Sequence, residues 1–320
     1  MKERLNLRTV FMGTPDFAVP SLQALHEISK VQGVFTQPDR TSGRGLKIVE
    51  PPVKSEAKRL GLPVFQPDRL RTPEAMEQLK SLKPDLIVVA AYGQILKQEV
   101  LDLPRWGCLN VHASLLPRWR GAAPIQWAIL SGDTETGVTL MQMELGLDSG
   151  PMLLKLHTPI SEEDRAQDVH DRLAILGESL IRKGVPQWVS GELTPEKQNP
   201  EFVTLAPKIE KSMGVLDLRE SATVLERKIR ALNPWPGTWV HTQGGRLFIR
   251  KARLHADRVS DSFEIVEKMG QVWLPCAEGS LILEAVQWEG KRIQDVASFL
   301  NGLRGRGASL PLELEPIWIT

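Results

Sequence analysis

Cysteine is nearly absent from the 320 residues, with Cys108 and Cys276 the only two. Two thiols build neither a disulfide framework nor a four-cysteine zinc site, which fits a reduced, cytoplasmic protein. Charge of one sign is lacking as well. Lys plus Arg is 40 and Asp plus Glu is 39, a formal net charge of +1. That balance excludes a globally basic coat for nucleic acid and leaves room for a local basic patch. No apolar run approaches the roughly 20 residues that span a bilayer. Met1 to Val10 is polar and charged, so neither a signal peptide nor a membrane partner is expected. Internal repeats and low-complexity tracts are missing too. What remains is ordinary globular composition, 42% hydrophobic and 25% charged, with material for one large core or two smaller ones.

Metal and nucleotide signatures are equally scarce. No pair of histidines or cysteines sits at zinc spacing, so no metal site is supported. The turn after Arg8-Thr-Val-Phe-Met-Gly13 is where a dinucleotide fingerprint belongs, yet only the first of its glycines is present, and GxxxxGK[ST] does not occur. A nicotinamide enzyme is therefore a weak reading.

What is there is alternation. Short β-branched runs at 8–13, 31–37, 62–66, 86–91, 107–113 and 137–143 alternate with helical patterns at 16–29, 53–61, 73–82 and 122–131. Leu86-Ile-Val-Val-Ala-Ala91 is almost wholly apolar, the signature of a central strand buried on both faces. Such βαβ alternation predicts an α/β fold, a Rossmann-like doubly wound, mostly parallel sheet. An edge strand or hairpin at 152–159 precedes a helix from about Glu162 to Val189, which Pro186 should kink or end early. These elements make a first domain over 1–190. Residues 191–207, polar and carrying Pro195, Pro200 and Pro207, read as a linker. Residues 208–320 read as a smaller β-rich, barrel-like domain of OB-like type, with helices at 221–232 and 293–303.

The informative segment is Cys108-Leu-Asn-Val-His-Ala-Ser-Leu-Leu-Pro-Arg-Trp-Arg-Gly121. Asn110 and His112 stand two apart at the carboxyl end of an expected strand, so both side chains face the same way, at the edge where open α/β sheets bind ligands. An amide donor beside an imidazole suits a developing oxyanion. Gly146-Leu-Asp-Ser-Gly150 places Asp148 on a glycine-flanked loop, from which a carboxylate can orient His112, favour its charged form and accept a proton. Taken singly, each residue reads more readily as a strand-end or turn former; it is the sharing of one sheet edge by all three that raises the catalytic reading.

At this segment the chain resembles the 10-formyltetrahydrofolate-dependent formyltransferases, whose shared pattern is an Asn-x-His pair, a Ser-Leu-Leu-Pro loop and a later Asp in a glycine-rich turn. Within that family it is similar to the members that act on methionyl-tRNA. The similarity lies in Phe11-Met-Gly-Thr-Pro-Asp-Phe-Ala18, Val34-Phe-Thr-Gln-Pro-Asp-Arg40 with Gly43-Arg-Gly45, Pro117 to Gln126, and Ile229 to Pro236. It runs from about Arg8 to the end of the chain. The resemblance implies transfer of the formyl group of 10-formyltetrahydrofolate to the α-amino group of methionine on initiator tRNA. Asn110 and protonated His112 would hold the oxyanion, and Asp148 would support His112 and help remove the amine proton. The folate would lie against Ser114, Leu115, Leu116 and Pro117 and the strand carrying Ile87 and Val89. It is a co-substrate, so no tightly bound cofactor and no metal is expected, and the protein would be a monomer. The nearest alternative is a formyltransferase acting on an amino sugar nucleotide.

For tRNA, residues 37–54 carry Arg40, Arg44, Lys47 and Lys54 against Asp39 and Glu50. The resemblance gives Arg44 the family's key basic position, although a single Lys47 stands where the family often has two consecutive lysines. In the second domain Arg250, Lys251 and Arg253 are candidate phosphate contacts. Alternation puts Lys251 and Arg253 on one strand face and Arg250 on the other, as a solvated edge strand also would. Residues 207–320 hold 16 basic and 14 acidic residues, so phosphate affinity there depends on placement rather than bulk charge. Trp235 reads as a packed corner, and Trp119 is the tryptophan closest to the site.

Overall fold

In the computed structural model, residues 4–42, 47–268, 270–305 and 309–314 are described, without the side chains of 41, 42 and 47. The chain runs through β1 (Arg8–Gly13), α1 (Val19–Ile28), β2 (Lys30–Phe35), β3 (Arg40–Ser42), β4 (Lys47–Val49), α2 (Pro52–Arg59), β5 (Val64–Phe65), α3 (Pro73–Ser81) and β6 (Leu86–Ala90). There follow α4 (Gln98–Leu101), β7 (Cys108–His112), β8 (Arg120–Gly121), α5 (Pro124–Ser131), β9 (Glu135–Gln142), β10 (Met152–Pro159), α6 (Ala166–Val189) and β11 (Leu205–Ala206). All five residues of β6 are buried, and β6 is the middle strand of a seven-stranded sheet ordered β10-β9-β7-β6-β1-β2-β5. Strands β5, β2, β1, β6 and β7 are parallel. The doubly wound expectation holds for these five. Strand β9 pairs antiparallel with β7, and β10 antiparallel with β9, so the sheet is mixed at one end.

Gly13 closes β1 where a Cβ would lie 2.9 Å from both the Ala18 Cβ and the Ala90 carbonyl oxygen. Close backbone approach explains that glycine without any phosphate. Pro186 does not end α6, which continues through Val189. Leu180, Ile181 and Val185 are fully buried on its core face, and that packing outweighs the one backbone bond a proline removes.

Two compact units emerge from the contacts. One comprises residues 1–124, 135–159 and 169–207, and the other residues 125–134, 160–168 and 208–320. The second unit therefore takes in two segments from the middle of the chain. Residues 191–207, expected to be a linker, belong to the first unit. Met152 and Glu196 exchange backbone hydrogen bonds of 2.8 and 2.9 Å, and β11 pairs in parallel with β8.

In the second unit, α7 (Ala222–Ala231) precedes β12 (Thr238–Thr242), β13 (Gly245–His255), β14 (Val266–Lys268), β15 (Gln271–Pro275), β16 (Ser280–Trp288), β17 (Gln294–Asp295) and α8 (Val296–Arg304). The antiparallel order is β12-β13-β16-β15-β14, with β17 on β16. Single bridges from Leu314 to Thr242 and from Leu312 to Ile265 link the two edges, giving the barrel-like character. Ser221 caps α7 by accepting the Val224 N–H, and its Leu225 and Ile229 join the barrel core beside Leu247, Ile249 and Leu283. Trp235, expected as a packed corner, is exposed.

Candidate active site

Asn110 and His112 occupy the last turns of β7's pleat, and both are buried, at 9% and 6% exposure. Asn110 stands opposite Val89 of β6 and Met141 of β9. Among the described residues its carboxamide has no hydrogen-bond partner, an unusual state for a nearly buried amide, which leaves its N–H free to donate. The His112 Nε2 lies 2.8 Å from the Trp119 carbonyl oxygen. A carbonyl only accepts, so the proton of that bond is on Nε2. The other ring nitrogen, Nδ1, faces Asp148 Oδ2 at 3.7 Å, an ion-pair separation too long for a direct hydrogen bond.

Asp148 does not reach His112 in the way a parallel strand end would. Because β9 is antiparallel, its last residue, Gln142, lies beside Leu109, while His112 lies beside Thr139. The 143–151 loop must therefore come back along β7 to bring Asp148 to the imidazole. There Asp148 Oδ2 accepts the Gly121 N–H at 2.9 Å. The Gln198 Nε2 donates to the carbonyls of Asp148 and Gly150, at 2.7 and 2.8 Å. Asp148 has φ of 45° and Trp119 has φ of 64°. Positive φ in non-glycine residues costs of order 1 kcal/mol or more, and such outliers gather at functional sites. Both outliers here are the partners of one histidine.

The Ser114–Pro117 loop is built on Thr139, whose hydroxyl donates to the Ser114 carbonyl at 2.7 Å and accepts the Leu116 N–H at 3.1 Å. The Ser114 hydroxyl donates to the Arg118 carbonyl at 2.6 Å. Leu116 is buried with Met141 and Met152. Three of the residues expected to touch folate are buried. Ser114 folds the loop, Leu116 anchors it, and Ile87 has no exposed surface within the core of Val10, Met12 and Phe35. Leu115 and Pro117 keep exposed surface, and Val89 adjoins Asn110. Sequence reasoning missed Thr139, Gln198 and Thr204, none of which carries a motif; the positive φ at Trp119 is invisible until the chain is folded. Cys108 is on the same strand, but burial pushes its thiol up to about 12, which removes it as a nucleophile.

Arg40 opens the β3–β4 hairpin, with its Nη2 3.4 Å from Gln37 Oε1. Arg44 lies outside the described residues. Lys47 opens β4, and its side chain is outside them too. Lys54, counted in the local basic surplus, is spent at the hairpin's base. Its Nζ lies 2.6 Å from Asp39 Oδ2, and Gln66 donates to Asp39 Oδ1 and the Gln37 carbonyl. Those two donors, Gln66 first, hold the Asp39 carboxyl below the usual range.

In the second unit, Arg250 donates through Nε and Nη2 to Gln287 Oε1 and lies 4.7 Å over the Phe248 ring. Lys251 and Arg253 both pair with Glu284, which they hold below the usual carboxylate range. Two cations share one anion there. All three residues line a cavity of about 380 Å3 together with Arg165, Arg227 and Arg230, and its lining includes none of Asn110, His112 and Asp148. Among the described residues no group of three or more His, Cys, Asp or Glu is placed to hold a metal ion, and no helix is long and apolar enough to cross a membrane.

Against known proteins, a family model described as "Formyl transferase" matches residues 7–185, and one described as "Formyl transferase, C-terminal domain" matches residues 208–304. A methionyl-tRNA formyltransferase of Myxococcus xanthus is 46% identical over 95% of this chain and 97% of its own length. One of Halorhodospira halophila is 50% identical over 93% of this chain and 96% of its own. Among solved structures, an N-formyltransferase from Helicobacter canadensis, in complex with folinic acid and dTDP-3-aminofucose, matches with a TM-score of 0.64 at 18% identity. That match covers 87% of this chain and 99% of the other. HypX from Aquifex aeolicus, in complex with tetrahydrofolic acid, matches with a TM-score of 0.62 at 16% identity, covering 98% of this chain and 51% of that one. These structural likenesses establish the fold alone.

Proposed function

The chain belongs to the formyl transferase family, and we propose that it formylates methionine on initiator tRNA; its nearly full-length relatives are named methionyl-tRNA formyltransferases. The relatives at 46% and 50% identity favour a methionyl-tRNA acceptor over an amino sugar nucleotide, for which the likeness is at 18%. The single observation that carries the chemistry is the unspent Asn110 carboxamide beside the His112–Asp148 pair.

The methionine α-amino group attacks the formyl carbon of 10-formyltetrahydrofolate. A new C–N bond forms, the formyl oxygen takes the negative charge, and the bond to the folate N10 then breaks as that nitrogen takes up a proton. The Asn110 N–H donates to the oxyanion. As charge grows, the oxyanion competes with the Trp119 carbonyl for the His112 Nε2 proton, because a charged acceptor makes the stronger bond. Asp148 supports positive charge on His112 through Nδ1 and takes the amine proton, through a water where the 3.7 Å gap demands one. Leu115, Pro117 and Val89 offer surface to the folate. Arg40, Arg44 and Lys47 address the acceptor end of the tRNA, and Arg250, Lys251 and Arg253 address its phosphates. The test is incubation with 10-formyltetrahydrofolate and either initiator Met-tRNA or an amino sugar nucleotide. Formyl-Met-tRNA is the expected product, and exclusive formylation of the sugar would overturn the reading.

A further inference from the structure

The polar segment after α6 has little secondary structure of its own, yet one side chain in it is held on three sides. Gln198 is partly buried between exposed neighbours at 194–197 and 199–202. Its Oε1 accepts from Arg120 Nε at 2.9 Å, while its Nε2 donates to the carbonyls of Asp148 and Gly150. Further along, the Thr204 hydroxyl accepts the Trp119 N–H at 2.9 Å, and the Thr204 carbonyl accepts the Arg120 N–H at 2.9 Å. The Ala206 carbonyl then accepts the Ala122 N–H at 2.8 Å.

These bonds converge on His112. Trp119 supplies the carbonyl that meets His112 Nε2, and Asp148 supplies the carboxylate that faces Nδ1. Each partner sits at a positive φ, a region that a bulky Trp disfavours and that Asp enters more readily but still sparsely, and contacts from outside the two loops help to hold them there. We propose that Gln198 is a positioning residue for formyl transfer: residues 198–206 act as a strap that fixes both partners of His112, with Gln198 setting the position of Asp148 and Thr204 that of Trp119. Gln198 itself touches no reacting atom. Its carboxamide is matched to the task, since one end must accept from a guanidinium while the other donates to two carbonyls.

The inference rests on the formyl-transfer reading of the site, and the test separates the two. Gln198→Glu keeps the Arg120 partner but sets oxygens against the Asp148 and Gly150 carbonyls; Gln198→Ala removes all three bonds. In the full chain, with initiator Met-tRNA and 10-formyltetrahydrofolate, kcat of both variants should fall about 10- to 100-fold, the scale for a misplaced catalytic group. The KM for each substrate should stay within about two-fold, because the binding surfaces are untouched. A second measurement needs no activity. Hydrogen exchange at the Gly121 amide, which donates to Asp148 Oδ2, should be faster in Gln198→Ala than in the parent. Parent-like kcat, an unchanged Gly121 amide, or a loss carried by KM or by a lower fraction of folded protein would each overturn the positioning role. A parent protein that formylates no Met-tRNA would instead sink the functional reading, and the Gly121 exchange would still decide whether the strap holds Asp148.

Discussion

At the scale of the residue, the site is three side chains in three states of commitment. The Asn110 carboxamide is uncommitted, His112 is hydrogen-bonded through Nε2 while Nδ1 only faces a carboxylate, and Asp148 accepts a backbone N–H while facing the imidazole. Asn110→Ala removes a donor that becomes important only when charge appears on the formyl oxygen, so kcat should fall about 10²–10³-fold with tRNA affinity nearly unchanged. Steady-state kinetics on Met-tRNA checks this, and near-parent turnover would take Asn110 out of the mechanism. Asp148→Asn keeps the shape and loses the negative charge opposite Nδ1; the fold should persist and activity should not. An active Asp148→Asn enzyme, with an unchanged melting curve, would make the residue a loop former. The Asn-x-His spacing was legible in sequence because a two-residue step on a strand fixes the shared face. The reason Asp148 arrives was not, since β9 reverses direction and only the returning loop brings the carboxylate back.

At the scale of the element, loops do what the sheet does not. Gly121 has φ of 126°, and a Cβ there would lie 2.6 Å from the Ala206 carbonyl oxygen. Gly121→Ala should therefore destabilise by about 2 kcal/mol or more and loosen the strap; urea unfolding measures the first effect and kcat the second. Arg44→Ala, in the segment between β3 and β4, should raise KM for Met-tRNA and lower kcat while leaving the folate KM in place. A change confined to the folate would reassign that segment to the co-substrate. On β13, Lys251 and Arg253 already share Glu284, so less than their formal charge is available to phosphate. If they and Arg250 lie along the tRNA, the triple Ala variant should show a shallower salt dependence. The slope of log K against log salt should fall by about 0.7–0.9 per lost contact, with discrimination between initiator and elongator tRNA intact. An unchanged slope would leave the cluster a solvated strand face.

At the scale of the whole molecule, the acid limit of stability is set in part by one buried carboxylate. Asp85, between α3 and β6, accepts from the Arg8 backbone N–H and guanidinium at 2.9–3.0 Å, with Arg105 at 3.3 Å. The Arg8 guanidinium holds its carboxyl at about 2, below the ordinary 3.8. A depressed carboxyl contributes stability above about pH 4 that is lost as the pH falls through about 2. With Arg8 nearly half exposed, water screening reduces the contribution to about 1 kcal/mol. Thermal melts should therefore show Asp85→Asn below the parent at pH 7 and converging with it at pH 2; a pH-independent gap would assign the loss to packing. Composition and period alone determined the α/β class, the buried central strand, the β-rich second unit and the face shared by Asn110 and His112, because these follow from local periodicity. The tertiary structure decided the rest: that β9 runs against β7, that Ile87 and Leu116 are buried, and that residues within 191–207 hydrogen-bond to the segments carrying Trp119 and Asp148. Each of these depends on contacts between residues far apart in the chain, Gln198 with Asp148 and Thr204 with Trp119, for which no local pattern of side chains exists.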